Sequence, residues 1–317
     1  MNLRTDLAQE ACSTLKSNNK EIYILDGIKV IETKVNKQIS KMINKKEGLY
    51  YLMDLSNYNL NEINDFEYIK KALTKLIKKV LKKEKIKEHD KGLIVGLGNN
   101  DVTPDSLGPK VASNIIITRH LYELNEKQEL VGLRNICCIS PGVMGATGIE
   151  TSDIINSIVN KINIDFVIVI DALAASSISR VNKTIQITNT GISPGSGVGN
   201  RRKEISKYSL HIPVIAIGVP TIVDAGTIAY NTINYMLDDL TKSLKIDKKE
   251  LGGKFALLSE DEKRKVIKTI LQDNEMDMMV TPKEVDKDID TLSQIISESL
   301  DSALHKLTWF NILLNGL

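Results

Sequence analysis

The chain is short of the residues that mark several protein classes. Its three cysteines, two of them adjacent at Cys137 and Cys138, supply neither a disulfide framework nor a CxxC metal site. Its four histidines, His89, His120, His211 and His305, fall in no HExxH spacing, which argues against a zinc hydrolase. The longest apolar run, around 214–223, is too short for a membrane span, and residues 1–15 carry charges where a secretion signal would have its apolar stretch. Neither charge sign dominates. With 42 Lys and Arg against 40 Asp and Glu, net +2, nothing in the balance demands nucleic acid or an anionic membrane as partner. Aromatics are few, with four Phe and one Trp, so the core must be built from Ile, Leu and Val. These absences describe a cytosolic globular protein of 317 residues in one large or two modest domains.

What is present is a strand-then-turn design that recurs. Residues 92–97 form an apolar run that reads as a buried strand, and 98–109 is too rich in turn formers for helix or strand. Asp105 therefore sits in a tight loop at the carboxyl end of a strand, where open α/β sheets build their sites. Alone it would read as a solvated turn residue. A second segment has the same plan: five apolar, mostly β-branched residues, Phe166 to Ile170, end on Asp171. A strand at 136–139 and helices at 110–124 and 152–162 separate them. That alternation implies right-handed crossovers, a parallel sheet and loops on one rim, including the glycine-rich loop 140–148. Two carboxylates on one rim can share a substrate, one as general base for water and one as general acid, with proximity splitting their pKa values.

The remaining text fills in around them. Asp26-Gly27 suits the turn of a β-hairpin over 21–35, and 50–55 adds a strand. Residues 65–87 make an amphipathic helix with a lysine face, read as solvated surface in preference to a nucleic-acid contact. A more exposed strand at 184–188 leads into a glycine-rich loop closed by Arg201, Arg202 and Lys203. A buried strand at 213–220 and a helix to about 240 follow, then a charged irregular segment with a short helix near 261–271. Thr281-Pro282-Lys283-Glu284 reads as a capping box opening the last helix. Gly96-x-Gly98 lacks the third glycine of a dinucleotide fingerprint, Asp101 standing in its place, and no cofactor is expected. Gly191-Ile192-Ser193-Pro194-Gly195 fits G-x-S-x-G with His305 downstream, but a nucleophile elbow needs a strand feeding straight into a helix, and Pro194 with the long loop argues against one.

The runs GLGNNDVTPDSLGPK, SPGVMGATGIETSDII, DFVIVIDALAASS, SPGSGVGNRRKEIS, IPVIAIGVPTIVDA and MVTPKEVD, in this order over nearly the whole chain, resemble the germination proteases of spore-forming bacteria. The resemblance implies an α/β/α sandwich like the hydrogenase-maturation endopeptidases, its mostly parallel sheet flanked by helices, here with an added N-terminal hairpin region. It implies a homotetramer in the spore core that degrades small acid-soluble spore proteins as an atypical aspartic peptidase. The family's two catalytic acids fall on Asp105 and Asp171. The family is made as a zymogen cut at an acid followed by an apolar residue and Ala-x-Glu, a pattern met by Asp6-Leu7-Ala8-Gln9-Glu10. Residues 1–6 are then the propeptide and 7–317 one catalytic domain, with Asn99, Gly142, Met144 and Gly145 as further substrate-binding residues.

An acid before the scissile bond calls for a cationic subsite, expected at Arg201, Arg202 and Lys203 with Lys110 and Arg180 behind them. Two rivals are a metal-assisted peptidase, since the hydrogenase-maturation relatives hold nickel with acids and a histidine, and a non-catalytic binder of acidic proteins or DNA.

Overall fold

Alternating apolar and β-branched segments pair into one mixed sheet in a computed structural model that describes residues 5–12, 19–124, 132–195, 202–244, 253, 255, 257–276 and 278–306. The described strands are β1 Lys20–Leu25, β2 Ile28–Val35, β3 Gly48–Asp54, β4 Gly92–Gly96, β5 Ile136–Ile139, β6 Phe166–Ala175, β7 Thr184–Thr188, β8 Val214–Asp224 and β9 Met279–Val280. They are ordered β1-β2-β3-β7-β8-β6-β4-β5, with β9 on β8. Strands β8, β6, β4 and β5 run parallel. The predicted hairpin, β1 and β2, belongs to a larger antiparallel wing that joins this parallel half through β3 and β7.

Helices α1 Ala8–Ala11, α2 Lys37–Ile43, α3 Ile63–Lys83, α4 Leu107–Asn114, α5 Arg119–Leu124, α6 Met144–Thr147, α7 Thr151–Ile162, α8 Lys207–Leu210 and α9 Ala225–Leu244 precede those at Glu260–Asp273 and Val285–Leu304. One sheet face, with Ile94, Ile168, Ile170 and Ile217, is covered by α3, α4 and the Val285–Leu304 helix. The other, with Val95, Val167 and Val169, is covered by α7, while α1 and α2 pack on the antiparallel wing. Helices on both faces make this an α/β sandwich of the expected class. No helix among the described residues is long and apolar enough to cross a membrane.

Several expectations give way to tertiary partners. The 110–124 helix is two helices, because Asp301 Oδ1 accepts the Ile116 N–H at 3.1 Å and the Thr118 N–H donates to Ile136 O at 2.9 Å. β6 does not stop at Asp171, and β8 does not stop at Pro220. The two strands pair past both residues, and a register shift after Leu173 accommodates the proline, which has no N–H to offer the ladder. Strand β7 is buried along its whole length, being an interior strand between β3 and β8. Thr281 caps nothing: its hydroxyl donates to Thr221 O at 2.8 Å, and the helix begins at Val285 without a side-chain cap. The lysine face of α3 is partly engaged, Lys75 with Asp26 and both Lys79 and Lys83 with Glu32.

α4 lies against β4 and β6 at Gly108. A Cβ there would collide with the Leu97 backbone oxygen and stand 2.8 Å from Ile170 O, so only glycine lets the helix seat this closely. Gly108→Ala is expected to lower unfolding free energy by about 1–3 kcal/mol at an unchanged m-value in urea; an unchanged midpoint would contradict this packing.

Candidate active site

β4 ends in a turn that closes on itself. Gly98 takes a φ of +120°, and the Asn99 N–H donates to Asp105 O at 3.1 Å. The Asp105 N–H donates to Val102 O at 2.8 Å, closing the 3-10 turn Thr103–Asp105. From β8, the buried Thr221 hydroxyl donates to Pro104 O at 2.6 Å, so two strands hold the turn that carries Asp105. Asp171 stands mid-strand in β6, buried, with its Oδ1 accepting the Ala172 N–H at 3.0 Å.

The electrostatics tie these acids together. Burial raises the Asp105 pKa, partly offset by a backbone hydrogen bond from Asn99. The Asp171 pKa lies well above the ordinary range, first through burial, then through the charge of Asp105, then through that of Asp6. Two acids from distant parts of the sequence, Asp105 and Asp6, therefore both act on Asp171.

Asp6 arrives there within a docked peptide. Its N–H donates to Ala174 O, and its Oδ2 accepts the Ala174 N–H, both at 2.9 Å. Leu7 is fully buried among Ile31, Leu52, Leu173, Val181 and Val223. The Asp6 carbonyl accepts from Gln186 Nε2 at 3.2 Å, and the Ala8 N–H donates to Gln186 Oε1 at 2.9 Å. Glu10 Oε2 accepts the Ser176 N–H at 2.8 Å and the Thr5 hydroxyl, while Arg180 Nε lies 3.5 Å from Oε1. Lys45 Nζ donates to Thr5 O at 2.7 Å; burial lowers its pKa against the charges of Asp6 and Glu10.

The structure distributes the other expected site residues more widely. Asn99 shapes the Asp105 turn, and its Oδ1 accepts the Asp101 N–H at 3.0 Å. Gly142 lies in the loop after β5, and Met144 and Gly145 lie in the exposed helix α6, where the Arg202 guanidinium contacts Met144 Sδ at 2.9 Å. Lys203 holds both Asp153 oxygens at 3.0 Å, and its N–H donates to Glu150. Lys110 pairs with Asp290. Arg201 lies outside the described residues. Of the expected cations, Arg180 alone among those described reaches the docked peptide, and it meets Glu10. His305 Nδ1 accepts the Arg134 N–H at 3.1 Å, and burial lowers its pKa to about 4. Among the described residues, no three His, Cys, Asp or Glu side chains gather as a metal site requires.

Sequence reasoning missed Lys45, Gln186 and the backbone of Ala174 and Ser176. Gln186 did leave a trace, as the one amide in the β-branched run Thr184-Ile185-Gln186-Ile187-Thr188. Lys45, in a lysine-rich turn, left none.

The germination protease pattern (Peptidase_A25) matches residues 3–251 and 245–309. The chain belongs to the germination protease family. It is 46% identical over 314 residues to the germination protease of Clostridium tetani, covering 96% of each chain. It is 41% identical over 343 residues to that of Bacillus cereus, covering 96% of this chain and 94% of the relative. A solved structure, the [NiFe] hydrogenase maturation protease HycI from Thermococcus kodakarensis, overlaps 71% of this chain and 99% of its own at 14% identity and a TM-score of 0.34. Membership of the family makes this chain a peptidase.

The raised Asp171 pKa sets a stability test. Holding the proton in the fold means that ionisation costs folding free energy; the cost is absent below about pH 4 and grows as pH rises through the folded-state value. Asp171→Asn is expected to melt above the unaltered chain at pH 8, the gap closing towards pH 4. Equal melting temperatures at both pH values would contradict the shift.

Proposed function

We propose that this chain is an endopeptidase that degrades small acid-soluble spore proteins at germination, cutting after an acidic residue. In this reading it is made as a precursor that removes residues 1–6 by cutting its own Asp6–Leu7 bond. The observation that carries the reading is the docked peptide: Asp6 lies close enough to Asp171 for its charge to raise the pKa of that acid.

Each docked residue supports a subsite. The acid before the cut is met by the Ala174 N–H within the field of Lys45. The apolar residue after the cut fills the Leu7 pocket, Ala8 fits a fully buried position, and the acid four residues after Asp6 is met by Ser176 and Arg180. An acid, an apolar residue, alanine and a second acid are thus what this rim binds.

The pair titrates as a unit, and the more deeply buried Asp171 keeps the shared proton. Ionised Asp105 takes a proton from water, and the resulting hydroxide adds to the Asp6 carbonyl carbon. The Asp171 proton passes to the Leu7 nitrogen as the C–N bond breaks, leaving a carboxyl on Asp6 and a free amine on Leu7. A homotetramer belongs to the same reading, supported by the exposed Ile22 and Ile24 of edge strand β1 and Tyr235 and Met236 of α9.

Asp105→Asn and Asp171→Asn are each expected to keep residues 1–6 attached by intact-mass measurement and to leave peptides of the Thr-Glu-Ile-Ala-Ser-Glu type uncut. Retained cleavage in either variant would reject the pair. Arg180→Ala is expected to raise KM roughly tenfold for peptides with Glu four residues beyond the acid at the cut, and to leave it unchanged for those with Gln there. An equal change for both would remove Arg180 from recognition. Light scattering is expected to give four times the 35.2 kDa chain mass; a monomer mass would remove the tetramer.

A further inference from the structure

Gln186 is buried at the centre of β7 and pairs across the ladder with Leu52 of β3 and Gly218 of β8. Gly218 pairs on its other side with Asp171. Acid, glycine and amide therefore form one row over three adjacent strands. Partners in a row project to the same face, and two strand spacings separate the acid and amide positions by roughly 10 Å. The glycine between them carries no side chain, and the Leu173 side chain, which also lines the Leu7 pocket, packs over it. From the β7 side, the amide takes hold of the docked peptide on both sides of one bond: its Nε2 donates to the Asp6 carbonyl at 3.2 Å and its Oε1 accepts the Ala8 N–H at 2.9 Å. A peptide carbonyl only accepts and a peptide N–H only donates, so these two contacts fix which end of the amide faces the carbonyl.

We propose that Gln186 is a catalytic residue of the cleavage, clamping the substrate main chain across the scissile bond and stabilising the oxyanion formed when water adds to the carbonyl carbon. The proposal rests on Asp6–Leu7 being the scissile bond. As hydroxide adds, the carbonyl electron pair moves onto the oxygen already facing Nε2–H. A neutral donor fixed in a buried site meets that developing charge without reorganising. The clamp reads backbone alone, so it serves any peptide in the same frame. When residues 1–6 depart, the Asp6 carbonyl leaves with them, and Nε2 is freed for the corresponding carbonyl of the next substrate.

The test compares the full-length unaltered chain with Gln186→Ala and Gln186→Glu, folding being checked by circular dichroism and melting. Loss of residues 1–6 is followed by intact mass, and kcat and KM are measured separately on the peptide Thr-Asp-Leu-Ala-Gln-Glu. Gln186→Ala is expected to lose on the order of 10²–10³-fold in kcat. Gln186→Glu keeps the size but offers no donor when ionised. Its activity relative to the unaltered chain is expected to be lowest at pH 8 and to recover as pH falls and the carboxyl regains a proton. A structural glutamine would give no such recovery. The proposal is overturned if Gln186→Ala matches the unaltered chain, or if Gln186→Glu keeps a constant ratio to it across pH. Absence of any cut after Asp in the unaltered chain overturns it together with the scissile-bond reading, a different result from normal cutting in the variants.

Discussion

Asp171 is a buried acid on which two other acids from distant parts of the sequence, Asp105 and Asp6, both act. That constraint organises the molecule. Burial raises the pKa of Asp105, and it is the first cause that holds Asp171 well above the ordinary range, with the charges of Asp105 and then Asp6 adding to it. A proton held on one member and missing from another is the condition for acid and base chemistry near neutrality. The arrangement is set by geometry: a turn pinned to β4 and β8, a strand that carries Asp171 past the end of its neighbour β4, and a peptide whose Asp6 pairs with Ala174 of that same strand.

The fold serves this arrangement by dividing its labour. The parallel half, buried on both faces, carries Asp171 and the turn of Asp105, while the antiparallel wing contributes Ile31 and Leu52 to the Leu7 pocket and Tyr50 to the packing around Ala8. Strand β7 joins the two halves, and Gln186 stands on it. Asp105 and Asp171 thus come from one half of the sheet, while the docked peptide is held by both.

The parts of this that were legible in the sequence are those set by local pattern. Apolar runs ended by turn formers located β4 and β6, and their alternation with helices implied that Asp105 and Asp171 share a rim. The illegible parts depend on partners distant in sequence. Nothing around Asp171 announces that β6 runs on to Ala175, because that extension is held by β8 across a register shift. Thr281 resembles a cap until Thr221 claims its hydroxyl. Lys203 reads as part of an acid-binding subsite, yet it is drawn to Asp153 and Glu150 at the start of α7, while Lys45, in a lysine-rich turn, reaches the docked peptide. Charge composition is readable from sequence; the partner that takes each charge is not.

The central claim is that residues 5–10 occupy the site of their own chain as substrate. Its most direct measurement is the rate constant for loss of residues 1–6 over a hundredfold dilution of freshly prepared precursor. A docked peptide cut where it lies gives one first-order constant at every concentration. A rate constant that falls in proportion to dilution would mean that one molecule cuts another, and would contradict the account.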